Sequence, residues 1–154
     1  MVVTGGNLSL TGFDISSEEQ FWTVTGDVAN AMAILDFDLD QQKELIVGSD
    51  DYSIRVYKNE EMIFDINEDS KVQFLSKIEK ASFAYALSNG SIGVYSGSAQ
   101  KWKNRVDNRI SALLGVDFDM DGNVGRLKPC PVGDTFVYQG IVFGQSQKCR
   151  GKPA

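Results

Sequence analysis

The feature that most constrains this chain is an internal repeat. "SIRVY" at 53–57 returns as "SIGVY" at 91–95, an offset of 38. "AMAILDFDLD" at 31–40 returns as "ALLGVDFDMD" at 112–121, an offset of 81, or two periods of about 40 residues. Within each period the pattern is short, β-branched or aromatic runs split by Gly, Asn, Asp and Ser turns. "ELIVGS" is continuously apolar, as a strand covered on both faces requires. "YSIRVYKN" alternates, with Ile54 and Val56 on one side. "NAMAILDFD" has helical propensity but is short and runs into an Asp-rich turn, so it reads as a strand. Four short strands per period of about 40 residues is the pattern of propeller blades, in preference to a generic antiparallel sandwich. The expected class is therefore all-β: a β-propeller fragment of four-stranded antiparallel blades, with blades at about 29–67 and 70–107 and a third from about Arg109. "NLSLTGF" and "FWTVTG" read as the outer strands of an earlier, incomplete blade. "LSNGSIGVY" predicts a type I′ hairpin turn at Asn89-Gly90, and "SDDYSIRVY" a longer polar hairpin at the same place one period earlier.

Composition narrows the function classes. The chain of 154 residues has no histidine, which removes Ser-His-Asp and Cys-His catalysis and His-containing zinc sites. Its net charge of −6 argues against non-specific binding to nucleic acid or an anionic membrane. No apolar run approaches the ~20 residues that span a bilayer. The start has neither a basic nor a long apolar region, so no signal peptide is expected. Cys130 and Cys149 are then expected to be reduced thiols.

Charge is unevenly spread. Residues 1–122 carry a net of −10 and residues 123–154 a net of +4, and Pro129, Pro131 and Pro153 all fall in the second segment. This predicts a partial propeller over 1–122, about three blades with the first and last incomplete, and a divergent, poorly ordered tail over 123–154. Pro129 and Pro131 bar "RLKPCPVG" from an inner strand, because each removes a ladder donor. "TFVYQGIVFG" predicts a hairpin with "YQG" near its turn. An open set of blades exposes strand edges and apolar faces, so the isolated chain is expected to be poorly soluble or oligomeric.

One motif carries candidate chemistry. In "DFDLDQQKE", Asp36, Asp38, Asp40 and Glu44 stand at positions 1, 3, 5 and 9 of a nine-residue loop. Calcium takes six to eight oxygens, and alternate residues of a tight loop can turn carboxylates inward. An EF-hand needs Glu at position 12, which here is Val47, and helical flanks, which are absent. The loop is similar to the calcium loops of FG-GAP propeller repeats in integrin α-chains, with Gln41 where those carry Gly. The second copy, "DFDMDGNVG", keeps Gly122 but has Gly125 at position 9. The alternative is that these aspartates cap a turn. Asp50-Asp51 and Glu60-Glu61 read as solvated turn residues. Trp22, Trp102, Phe21, Tyr57 and Tyr95 read as core or inter-blade packing. No constellation favours an enzyme.

"FWTVTGD", "KELIVGSDDYSIRVYK" and "YALSNGSIGVY" together resemble the amino-terminal β-propeller of the Bardet–Biedl syndrome 2 family of BBSome subunits, over roughly residues 3–122. Members of that family are several times longer. The resemblance implies a non-enzymatic scaffold of a coat-like complex that carries membrane proteins to and from cilia and takes part in cilium assembly. It implies other BBSome subunits as partners, Bardet–Biedl syndrome proteins 7 and 9 foremost, and ciliary membrane-protein cargo indirectly. It also implies residence in the cytoplasm, at the cilium and peripherally on its membrane, and at the basal body and centriolar satellites. The alternative reading is a calcium-dependent adhesion or ligand-binding repeat of the integrin type. No cofactor other than a possible Ca²⁺ follows from either.

Overall fold

The computed structural model describes residues 1–6, 8–79, 81–106 and 110–115, and the backbone of strands at 130–132, 135–138 and 141–145. The second Asp loop, Cys149, and 123–129, 133–134, 139–140 and 146–154 of the tail lie outside the described residues.

The described elements are all strands. β1 (Val2–Gly6), β2 (Ser9–Phe13) and β3 (Glu19–Val24) form a three-stranded antiparallel sheet. The second sheet is β4 (Ala29–Leu35), β5 (Glu44–Ser49), β6 (Ser53–Lys58) and β7 (Glu61–Asn67), paired in chain order. β8 (Val72–Glu79), β9 (Ser82–Leu87), β10 (Ser91–Ser96) and β11 (Ala99–Arg105) repeat that plan in the third. β12 (Ile110–Gly115) opens a fourth, completed by β13 (Cys130–Val132), β14 (Thr135–Tyr138) and β15 (Ile141–Gln145). The expected blades at 29–67 and 70–107 are present, and the next begins at Ile110.

The connections show which strands are outermost. β3 reaches β4 through residues 25–28 and β7 reaches β8 through 68–71, loops of equal length. β3 therefore holds the outer place of the first sheet, as β7 does in the second. β1 is an addition to the two outer strands expected from sequence. On the inner side β4 lies against β8, and β8 against β12, so the second, third and fourth sheets fan out from their first strands.

Period-two alternation builds the core between the sheets. On β5, Leu45 and Val47 face the first sheet beside Leu10 and Phe21, while Ile46 faces the third. On β9, Phe83, Tyr85 and Leu87 face the second sheet, and Ala84 and Ala86 face β12 with Ile92 and Val94. Every residue of β5 is buried, as its unbroken apolar run predicts. Alternation also corrects the reading of Trp22. Phe21 takes the inward position on β3, so Trp22 points outward and is 53% exposed.

Gly48 marks a close approach between the second and third sheets. A Cβ there would lie 2.3 Å from Val72 Cγ1 and 2.8 Å from Val72 Cβ, atoms of the first strand of the next sheet.

The Asn89-Gly90 turn differs from the type I′ expectation. Gly90 is left-handed (φ 87°), and Asn89 is not. Gly90 N–H donates to Leu87 O at 3.1 Å, and Ser91 N–H donates to Asn89 Oδ1 at 2.9 Å. This is a three-residue loop, Ser88 to Gly90, with the left-handed residue last. Asp50 to Tyr52 form a loop of the same length, not a longer one. Tyr52 is left-handed (φ 72°), and Ser53 N–H donates to Asp51 Oδ1 at 3.2 Å.

The fourth sheet has a different order: β12, β15, β14, β13. β14 and β15 pair from Thr135↔Gly144 to Tyr138↔Ile141, the hairpin that "TFVYQGIVFG" predicts. β13 takes the edge, where Pro131 costs no inner ladder bond.

Candidate functional site

The acidic loop spans residues 36–43, between the end of β4 and the start of β5. Two left-handed residues, Leu39 (φ 64°) and Gln41 (φ 73°), bend it back on itself. Gln41 thus adopts the conformation for which glycine is the usual choice at that position. Each aspartate accepts a backbone N–H inside the loop. Asp36 Oδ2 takes Gln41 N–H at 3.1 Å, Asp38 Oδ1 takes Asp40 N–H at 3.3 Å and Asp40 Oδ1 takes Gln42 N–H at 2.9 Å. These are the turn-capping bonds that Asp side chains favour.

The three aspartates also converge. One carboxylate oxygen from each of Asp36, Asp38 and Asp40 lies within 4.8 Å of the others. Glu44 is held apart from them by its role at the base of the loop. It is fully buried, and its Oε2 accepts Phe37 N–H at 2.7 Å. That bond fixes the loop's entry, because Phe37 packs on Phe64 at 5.3 Å and joins the core between the second and third sheets.

Sequence reasoning missed Lys58, the last residue of β6. Its ammonium donates to Asp38 Oδ2 at 2.8 Å and to Asp40 Oδ2, and lies 3.5 Å from Glu44 Oε1. Hydrogen bonds to Asp38 and Asp40 push the Lys58 pKa upward, and the bond from Lys58 holds Asp40 below the usual carboxylate range. The donor set suits calcium in kind, since its groups are hard oxygens. A divalent ion seated on Asp38 and Asp40 would meet the ammonium already bonded to both.

A second polar cluster pins the connection between the second and third sheets. Glu68 Oε1 accepts Tyr95 O–H at 2.8 Å, and Glu68 Oε2 accepts from Lys103 Nζ at 2.8 Å. Gln100 Nε2 donates to Tyr85 Oη at 2.9 Å and to Tyr95 Oη at 3.2 Å. Burial, then the Glu68 carboxylate, raise the pKa of both phenols. The cluster is tied up in its own bonds and serves to fix one sheet on the next.

The outer strands have a different character. Trp22 and Val24 on β3, and Met62 and Ile63 on β7, are exposed apolar side chains.

Residues 31–127 match the family model described as ciliary BBSome complex subunit 2, middle region. The human BBSome complex member BBS2 is 40% identical over 122 residues, covering 79% of this chain and 17% of that protein. The Danio rerio BBSome complex member BBS2 is 38% identical over 124 residues, covering 80% of this chain and 17% of that protein. The chain thus spans 17% of the length of these relatives. A crystal structure of BBS1N in complex with ARL6DN, soaked with lead, superposes with a TM-score of 0.67 at 16% identity, covering 79% of this chain and 37% of that one. That likeness shows the fold alone. The integrin-type alternative gains no support from these relatives.

Proposed function

The chain belongs to the family of ciliary BBSome complex subunit 2, and we propose that it serves as a non-enzymatic propeller scaffold of the BBSome at the cilium. The family match over residues 31–127 carries this reading. The side chains of the two complete blades agree with it. Carboxylates and cations there are engaged with one another across the sheets, as in the Lys58 and Lys103 clusters. That is the chemistry of a fixed frame, with charge spent on holding strands and loops together.

The partners we assign are other BBSome subunits, with Bardet–Biedl syndrome proteins 7 and 9 foremost and ciliary membrane cargo reached through the complex. The places we assign are the cytoplasm, the cilium and its membrane periphery, and the basal body with its centriolar satellites. The exposed apolar side chains of β3 and β7 are the surface offered to neighbours. Apolar side chains on outer strands favour burial against a partner.

Co-expression of the chain with the remaining BBSome subunits, followed by crosslinking and affinity purification, tests the reading. Crosslinks from β3 or β7 to other subunits are the expected result, reduced by Trp22→Asp and Met62→Asp. Crosslinks to none of the subunits would refute it.

A further inference from the structure

We propose that Lys58 is the resident cation of the acidic loop: its ammonium holds the place of a divalent ion, so the loop folds without metal and becomes a calcium site only when Lys58 is removed.

Three observations converge on this. The ammonium contacts Asp38 Oδ2 and Asp40 Oδ2 and approaches Glu44 Oε1, so one nitrogen gathers carboxylates from the middle of the loop and from the strand that follows it. Glu44 supplies the second. It is fully buried, and its Oε1 accepts no hydrogen bond. A buried carboxylate needs a compensating charge, and Lys58 at 3.5 Å provides it. The third is the way Lys58 is delivered. It ends β6, a strand locked by pairing to β5 on one side and β7 on the other. The cation is therefore a fixed part of the sheet.

Lys58 does not cancel every charge of the loop. Asp38 and Asp40 side chains are 39% and 36% exposed, so water carries the remainder. A divalent ion must therefore compete with an ammonium built into the fold, and it gains little beyond what lysine and water already supply. Removing the ammonium reverses the balance. Asp36, Asp38 and Asp40 are already turned inward by their loop bonds, and Glu44 is left without its partner.

The test is calcium titration of the 154-residue chain by calorimetry, with melting temperatures in EDTA and in millimolar calcium. The wild type is expected to melt at the same temperature in both. Lys58→Met keeps the stem and removes the charge. It is expected to melt lower in EDTA, to be raised by calcium, and to take up calcium at millimolar concentrations where the wild type takes up none. Asp38→Asn added to Lys58→Met is expected to abolish that gain. Wild-type protein that binds calcium as tightly as Lys58→Met would overturn the proposal. So would a Lys58→Met chain that gains nothing from calcium, whether it is folded or remains unfolded in its presence.

Discussion

Gly48→Ala adds one methyl group at a tight contact between two blades. The new Cβ would stand 2.3 Å from Val72 Cγ1 and 2.8 Å from Val72 Cβ, with Leu75 Cδ1 at 3.4 Å. Val72 is fully buried, so its side chain has no open space to turn into. Nor can the strands part freely. Leu35, Ile46, Ile54, Phe83 and Tyr85 fill the same interface with little or no exposure. Overpacking of this kind costs roughly 1–3 kcal/mol, and each kcal/mol lowers the melting temperature by about 2–4 °C in a chain of this size. Val72→Ala alone also destabilises, through lost burial and a cavity. The double variant removes Cγ1, the worse of the two clashes, so the changes should be less than additive by about 1 kcal/mol. Gly6→Ala is the control, since nothing lies within 4 Å of its added Cβ. It should change stability little. Urea denaturation of the four proteins is the assay. A Gly48→Ala chain that unfolds like Gly6→Ala, or a double variant that is simply additive, would show that Val72 leaves room for the added methyl group.

The equivalent left-handed residues Tyr52 and Gly90 should respond oppositely to exchange. Gly90→Ala places a side chain at φ 87° and should cost roughly 1–2 kcal/mol, whereas Tyr52→Gly relieves φ 72° and should stabilise by up to about 1 kcal/mol, less the entropy of the glycine, both read from urea midpoints. Tyr85 and Tyr95 should give the fold an alkaline limit. Burial and Glu68 raise both phenols above the ordinary value of 10, so the unfolded chain loses these protons first, and stability should be full below pH 10 and fall as pH rises above it. Tyr95→Phe should flatten that limb in pH-dependent melting curves. Lys58→Met should lower the melting temperature in EDTA and make it calcium-dependent, as argued above.

Blade limits were legible because they depend on a period, and a period survives local substitution. The offset of 38 joins more than the quoted pentapeptides. Asp51 and Asn89 make the same side-chain bond to the following serine, and Tyr52 and Gly90 share one backbone conformation although their side chains have nothing in common. The turn type was not legible from Asn89-Gly90 alone. Ser88 N–H donates to Lys71 O, next to the Val72↔Leu87 pair, so Ser88 continues the pairing with β8 while the loop to β10 runs from Ser88 to Gly90. A dipeptide carries no trace of that tertiary bond. Trp22 shows the reverse case. Its exposure follows from alternation once Phe21 is placed inward, so its size misled where its position would have served.

The loop's four carboxylates were visible in the sequence, whereas their cation was not, because Lys58 lies 14 residues beyond Glu44 and across a hairpin. The link is nevertheless implicit in the loop length. A three-residue connection at 50–52 sets Gly48 opposite Ile54 and Leu45 opposite Tyr57. One further step in that register brings Glu44 to Lys58, with both side chains directed to the same face of the sheet. The turn sets the register, the register sets Lys58 opposite Glu44, and Lys58 there meets the carboxylates of the loop. In the folded sheet β6 sets a cation beside Asp38, Asp40 and Glu44, so the charge of the acidic loop is read together with Lys58.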